Sequence, residues 1–282
     1  MKVSRDLLFD LREQRFGWSK QSRIRTFADA TAFIESRGIC LLWPSNGIEL
    51  PSLIEARRGQ PGWGEEWDDD SKATWEWKDQ FPEKRIAFYG KLLHGKGTFV
   101  SLDCLEAFLA LAGDRTRPDG FRKDRGLSKE AQAVAETLFA RGAMPSKALR
   151  SAAATRLGAS PDKAKAGMQE LDNKLWIIRR GNVKEQGTAW ESATFDLLPR
   201  IFATHAKAAL KLTPQVARQR ILGRFFDTCA VSAPKIAAKT FGWSRAEAEK
   251  TCAALAAQGA VIATEAALTF PPGSFRTTNL KD

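Results

Sequence analysis

From Leu127 to Phe195 the apolar positions recur with the period of a helix and then with that of a strand, and the same succession returns from Thr213 to Phe270. In the first stretch Glu130 to Ala140 carries Val134 and Leu138 at helical spacing, a short second helix follows Met144-Pro145, and Leu157-Gly158-Ala159 leads into Ser160-Pro161-Asp162. Serine then proline marks a helix start, because the hydroxyl can accept a free first-turn N–H and proline suits a position whose N–H has no partner. The second stretch predicts helices from Pro214 to Cys229 and from Pro234 to Phe241, with Ser244 as the next cap, 84 residues after Ser160. At that same offset Ala164, Met168, Leu171 and Leu175 answer to Ala248, Cys252, Leu255 and Gly259, one buried stripe in each third helix. Trp176-Ile177-Ile178 and Val261-Ile262-Ala263 follow as β-prone pieces, each with a turn and a returning strand ending near Phe195 or Phe270. Three helices and a hairpin, twice over, is the winged-helix order and an internal duplication.

The first half reads less regularly. Ala28 to Arg37 predicts a helix stopped by Gly38, and Ile39-Cys40-Leu41-Leu42-Trp43 a buried strand ending at Pro44. Glu49 to Arg58 and Glu83 to Gly90 read as helices, Lys91 to Ser101 as a hairpin turning at His94-Gly95-Lys96-Gly97, and Leu102 to Leu111 as a closing helix. Another wing-like unit is expected there. The reading is mainly α with short β-hairpins: a basic, amphipathic arm (1–24), a Trp-rich winged-helix-like domain (25–126) and tandem winged helices over 127–205 and 206–282.

Six of the nine tryptophans precede residue 78, and Trp63, Trp67, Trp75 and Trp77 crowd around the acidic run Glu65 to Asp70. An aromatic platform for an extruded base is one reading and a core plug is the other. On a helix Trp75 and Trp77 lie roughly 200° apart and cannot both face one ligand, which favours packing. The acidic run reads as a solvated loop or a patch repelling DNA.

Charge changes the picture. Residues 1–126 hold 21 Lys and Arg against 20 Asp and Glu, whereas residues 127–282 hold 23 against 13, so nearly all of the net +11 lies in the duplicated half. Clustered cations gain most where they displace counterions from a polyanion, and duplex DNA is the expected partner. The third helix of the first copy offers Ser160, Lys163, Lys165, Gln169 and Asn173, and its wing Arg179, Arg180 and Lys184. Strand alternation sends Arg179 and Arg180 to opposite faces, so one of them is expected on DNA and the other covering its own module's surface. The second copy offers Lys235, Lys239, Ser244, Arg245 and Lys250, but its wing, Thr264-Glu265-Ala266, has no basic residue, and phosphate contacts or packing are expected of it.

The four cysteines are far apart and only two histidines are present, which argues against a zinc site, a disulfide framework and His-dependent triads; no Gly-rich phosphate loop occurs. No cofactor and no metal are expected, and Cys252 reads as a core thiol. No apolar run approaches the roughly 20 residues of a membrane span, and the first residues lack a secretory h-region, so a cytoplasmic, nucleoid-associated monomer is expected.

Ala32-Phe33-Ile34-Glu35-Ser36-Arg37-Gly38-Ile39-Cys40-Leu41-Leu42-Trp43, ahead of two winged-helix-like repeats, resembles the AlkZ-like family of bacterial DNA glycosylases. LLWPSNGIELPSLIEA, WEWKDQFPEKRIAFYGKLL and FVSLDCLEAFLAL look closer to its AlkZ-related branch. The resemblance implies tandem winged helices around a DNA channel. It also implies Gln-x-Gln or Gln-x-Asp on the strand after the helix-stopping glycine, to position the attacking water. Leu41 and Trp43 align there, neither can polarise water, and neither motif occurs anywhere in the chain. Duplex DNA binding without glycosylase activity, in a damage-associated role, is therefore expected. The alternatives are a glycosylase with a relocated carboxylate, for which Glu49, Glu76 and Asp79 are the nearest candidates, and a winged-helix transcriptional regulator.

Overall fold

The computed structural model describes residues 5–64, 66–184, 191–264 and 274–277. After α1 (Arg5–Phe16) comes a first winged helix: α2 (Phe27–Arg37), β1 (Ile39–Leu41), α3 (Leu53–Arg58), α4 (Asp69–Glu83), β2 (Ala87–Leu93) and β3 (Lys96–Ser101). Helix α5 (Leu102–Ala112) and a 3-10 turn lead to the second: α6 (Lys129–Arg141), β4 (Met144–Pro145), α7 (Ser146–Leu157), α8 (Pro161–Asn173), β5 (Ile177–Lys184) and β6 (Glu191–Leu197). Short helices α9 (Leu198–Ile201) and α10 (Ala203–Ala209) precede the third: α11 (Pro214–Cys229), β7 (Val231–Ser232), α12 (Pro234–Phe241), α13 (Arg245–Ala257), β8 (Val261–Thr264) and β9 (Ser274–Thr277). Among the described residues the strands form three antiparallel three-stranded sheets, ordered β1-β3-β2, β4-β6-β5 and β7-β9-β8. In each, the strand after the first helix pairs with the last strand of the hairpin.

The three copies share backbone punctuation more than sequence. Their second helices end at Gly59, Gly158 and Gly242, all left-handed, where a side chain would be strained. Their third helices start at Asp68, Ser160 and Ser244 and turn into the hairpin through a positive-φ residue, Arg85, Leu175 or Gly259. The acidic run is therefore not a loop throughout. The Asp68 carboxylate accepts the N–H of Ser71 at 2.8 Å, and Asp69 and Asp70 occupy the first turn of α4, where the helix's free N–H groups favour negative charge. The helix expected over Glu83 to Gly90 is instead the last residue of α4, the turn at Arg85 and the start of β2, with Pro82 inside the final helical turn. The helix expected from Glu49 begins only at Leu53, after the cap Ser52.

In the second copy Ala131, Val134, Leu138, Leu149, Ala164, Met168, Leu171, Trp176, Ile177 and Leu197 form a core of their own. Gly167 lets α8 lie directly on α6: a Cβ there would stand 2.5 Å from the Glu130 carbonyl carbon. The first and third copies instead share one core, in which Ile39, Leu41, Phe88 and Val100 meet Ile221, Phe225, Phe226 and Leu255 through Leu105, Phe108 and Leu109 of α5. A second apolar layer, with Phe33, Ile34, Leu53, Trp77, Phe81 and Phe99, closes the far side of the first copy. Cys252 lies buried on the stripe expected of it, and all four cysteines are buried free thiols. Burial pushes the Cys104 and Cys252 thiols up to about 11 and about 12, which leaves them protonated and unreactive. No described helix is long and apolar enough to cross a membrane.

Candidate nucleic-acid interface

Helix α8 has two faces. Ala164, Gly167, Met168 and Leu171 are buried, while Ser160, Lys163 and Lys165 are exposed at its N-terminal end and Gln169 is half-buried, donating to Asn173 at 2.9 Å. No ion pair holds Lys163 or Lys165 among the described residues. The two ammonium groups stand free beside the positive end of the helix dipole, an arrangement that favours an anion from outside the chain.

The two arginines of the second copy's wing take opposite faces, but the inward one covers another copy and not its own module. Arg179 points at the first copy: its Nε lies 2.8 Å from Oδ1 of Asp79 on α4, and its Nη2 donates to Asn182 at 2.8 Å. Asn182 in turn donates to Asp79 Oδ2 at 2.7 Å, and Lys78 Nζ donates to the same oxygen at 2.6 Å. Burial, with the nearby Arg179 charge, lowers the Lys78 ammonium to about 8, although Asp79 works against both. Arg180 faces outward, half-exposed, 3.6 Å from Asp196, which Arg200 also holds at 3.0 Å. Lys184 is exposed near the wing's end.

In the third copy Lys235, Lys239 and Lys250 are exposed, and Arg245 is paired with Glu249 at 2.7 Å. Ser244 caps α13 in a reciprocal box with Glu247. Of the wing Thr264-Glu265-Ala266, Glu265 and Ala266 lie outside the described residues, as does Phe270.

The three candidate carboxylates sit in unlike places. Glu49 is structural: its Oε2 accepts from Arg12 at 3.1 Å and from Ser232 at 2.7 Å, tying α1 and the third copy to the first. Asp79 is enclosed by Lys78, Arg179 and Asn182. Glu76 is exposed on α4. Leu41 is fully buried, and its N–H donates to Pro51 rather than to anything a substrate could reach. Among the described residues no three His, Cys, Asp or Glu side chains come together to hold a metal ion.

Trp43 joins a group that sequence spacing does not assemble. Its ring stacks on Trp63 (centroids 5.1 Å apart, planes 24° apart) and lies nearly parallel to Trp75 (6.5 Å, 15°), and Trp67 meets Trp43 and Trp75 edge-on. Trp63, Trp67 and Trp75 remain 48%, 52% and 45% exposed, whereas Trp77 packs inward beside Phe27. Immediately after Trp43 the chain lines a cleft of about 450 Å³ with Pro44, Ser45, Asn46, Ile48, His94, Lys96 and Lys239. Sequence reasoning missed this cleft because its lysines come from different copies and meet only in the folded chain, where the Leu42 N–H donates to Gly97 beside Lys96.

The model of the family described as AlkZ related matches residues 24–242. Among solved structures the chain is similar to the DNA glycosylase AlkZ of Streptomyces sahachiroi, with a TM-score of 0.60 and 12% identity, over 99% of this chain and 71% of that one. At that identity the likeness speaks for the fold, a tandem arrangement of winged helices. No curated protein matches the chain. The match over residues 24–242 places this chain in the AlkZ-related family.

Proposed function

We propose that this protein binds duplex DNA, damaged or otherwise structured, through its winged helices and does not hydrolyse glycosidic bonds at the end of β1. The observation that carries the binding is the free, exposed pair Lys163 and Lys165 at the N-terminal end of α8, the helix that enters the major groove in winged-helix and helix-turn-helix readers. Lys184, Lys235, Lys239 and Lys250 extend the cationic surface, and Arg180 and Arg245 add to it once they exchange their carboxylate partners for phosphates. The kinship with a protein named as a DNA glycosylase agrees with this reading. The absence of hydrolysis rests on Leu41 and Trp43, which offer neither a base nor a hydrogen bond acceptor for water.

Titrating labelled duplex at several salt concentrations tests the binding: about five or six neutralised phosphates give a slope of log K on log salt near −5. No binding at low salt ends the proposal. Incubation with alkylated duplex tests the chemistry, with no abasic sites expected. Abasic sites that disappear in Glu76→Gln would replace this reading with that of an enzyme whose acid or base has moved, since Glu49 and Asp79 are engaged with cations.

A further inference from the structure

Large exposed aromatic patches are rare on a soluble surface and mark contact sites. Three half-exposed tryptophans around a fourth, two of them nearly parallel to it, make a patch suited to flat ligands rather than an irregular apolar surface. The patch is also held in place from beneath. Lys78, only 1% exposed, sets its ammonium 3.8 Å from the centre of the Trp75 ring while Asp79 anchors the same nitrogen. Lys78 thus holds the ring from a buried position.

The adjoining cleft supplies the other half of a nucleotide's chemistry. Lys96 comes from the hairpin of the first copy and Lys239 from α12 of the third, and Nε2 of His94 lies 2.5 Å from the Lys239 carbonyl oxygen, locking the two copies together at the rim. Ser45 and Asn46 add neutral hydrogen-bonding groups. Of the carboxylates around the tryptophans, Asp68 and Asp70 are paired with Arg58 and Arg57, while Glu66 and Glu76 are exposed without an ion pair among the described residues. A stacking surface joined through Trp43-Pro44 to a cationic cleft matches the combination by which proteins hold unpaired nucleotides, the base on the rings and the phosphate on the lysines.

We propose that Trp43, Trp63, Trp67 and Trp75 form a stacking platform for unpaired nucleotides of DNA, with the phosphate in the cleft of Lys96 and Lys239. This rests on the reading of the protein as a DNA binder and adds a preference: a duplex interrupted by a short single-stranded gap binds more tightly than the same duplex fully paired.

The full-length protein is titrated with labelled fully paired duplex, the same duplex carrying a gap of a few thymidines, and a thymidine oligonucleotide. The gapped duplex is expected to bind at least tenfold tighter, and the oligonucleotide to quench tryptophan fluorescence. Trp63→Ala with Trp67→Ala should remove the preference and most of the quenching, leave affinity for paired duplex within twofold and keep the circular dichroism spectrum. Trp63→Phe with Trp67→Phe, which keeps flat rings, should restore the preference. Lys96→Ala should lower the salt slope on the single strand by about 0.7. Equal affinity for gapped and paired duplex, together with no quenching, overturns the platform and leaves duplex binding standing. Quenching by the oligonucleotide without duplex binding supports the platform and ends the duplex reading. Self-association that disappears in the alanine variant, with no preference for the gap, overturns the proposal in favour of a protein contact.

Discussion

Lys163 and Lys165 lie off the buried stripe of α8, so replacing them removes charge without touching the core. Lys163→Ala combined with Lys165→Ala should lower duplex affinity at least tenfold and reduce the salt slope by about 1 to 2, with folding intact by circular dichroism. Lys235→Ala with Lys239→Ala should cost less, because α12 is the second helix of its copy; an unchanged affinity in the first pair would move the DNA to another face. Asp172, near the C-terminal end of α8, is a different kind of residue. It is buried against the first copy, where it accepts the Lys91 N–H at 3.0 Å, and burial pushes its carboxyl up to about 6. A carboxyl whose folded value is raised contributes stability at low pH that is lost as the pH climbs through about 6. Asp172→Asn keeps an acceptor and never ionises. The variant should exceed the parent by about 2 kcal/mol in urea unfolding at pH 8, and the difference should shrink toward pH 4. A difference that does not change with pH would assign the effect to packing alone.

At the scale of elements, α8 and α6 meet through Gly167, whose missing side chain is what allows the approach. Gly167→Ala should push the helices apart and cost about 1 to 3 kcal/mol, seen as a lowered melting temperature, despite alanine's better helix propensity. An unchanged or raised melting temperature would show that the contact yields. Elements were legible where their signals were local. The helix starts at Ser160 and Ser244, the stripes 84 residues apart and the glycines at 158 and 242 recur in the structure in the same order, but only the Ser244 hydroxyl makes the expected cap bond, and the stripes end at Leu171 and Leu255, because Leu175 and Gly259 lie past the helices and Gly259 is exposed. The first copy is the same fold with different punctuation. Its third helix is capped by an aspartate hidden in an acidic run, and its hairpin begins at Arg85, a residue type that gives no hint of a left-handed turn. Of the tryptophans, the sequence showed only that Trp75 and Trp77 point apart. That Trp43 approaches Trp75 from the end of another element is a tertiary fact without a local period.

Across the whole molecule the cores divide unevenly. Most of the second copy has a core of its own, with Leu175 and Ile178 reaching into the apolar body that α5 builds from the first and third. Hydrogen exchange should accordingly show the buried amides of α5, α11 and α13 opening together, and those of α6 and α8 opening as a separate group. Exchange at one common rate in all of them would indicate that the Asp79 and Arg179 junction couples the groups fully. That junction has a further consequence. In the first copy the helix that corresponds to α8 and α13 is partly covered by a neighbour's hairpin, so it is unavailable as a groove reader along that side. Three copies in series do not amount to three equivalent footprints. A bound duplex should be engaged unsymmetrically, with no periodic recurrence of base preferences along its length, and the protein should set a direction on the DNA rather than count half-sites.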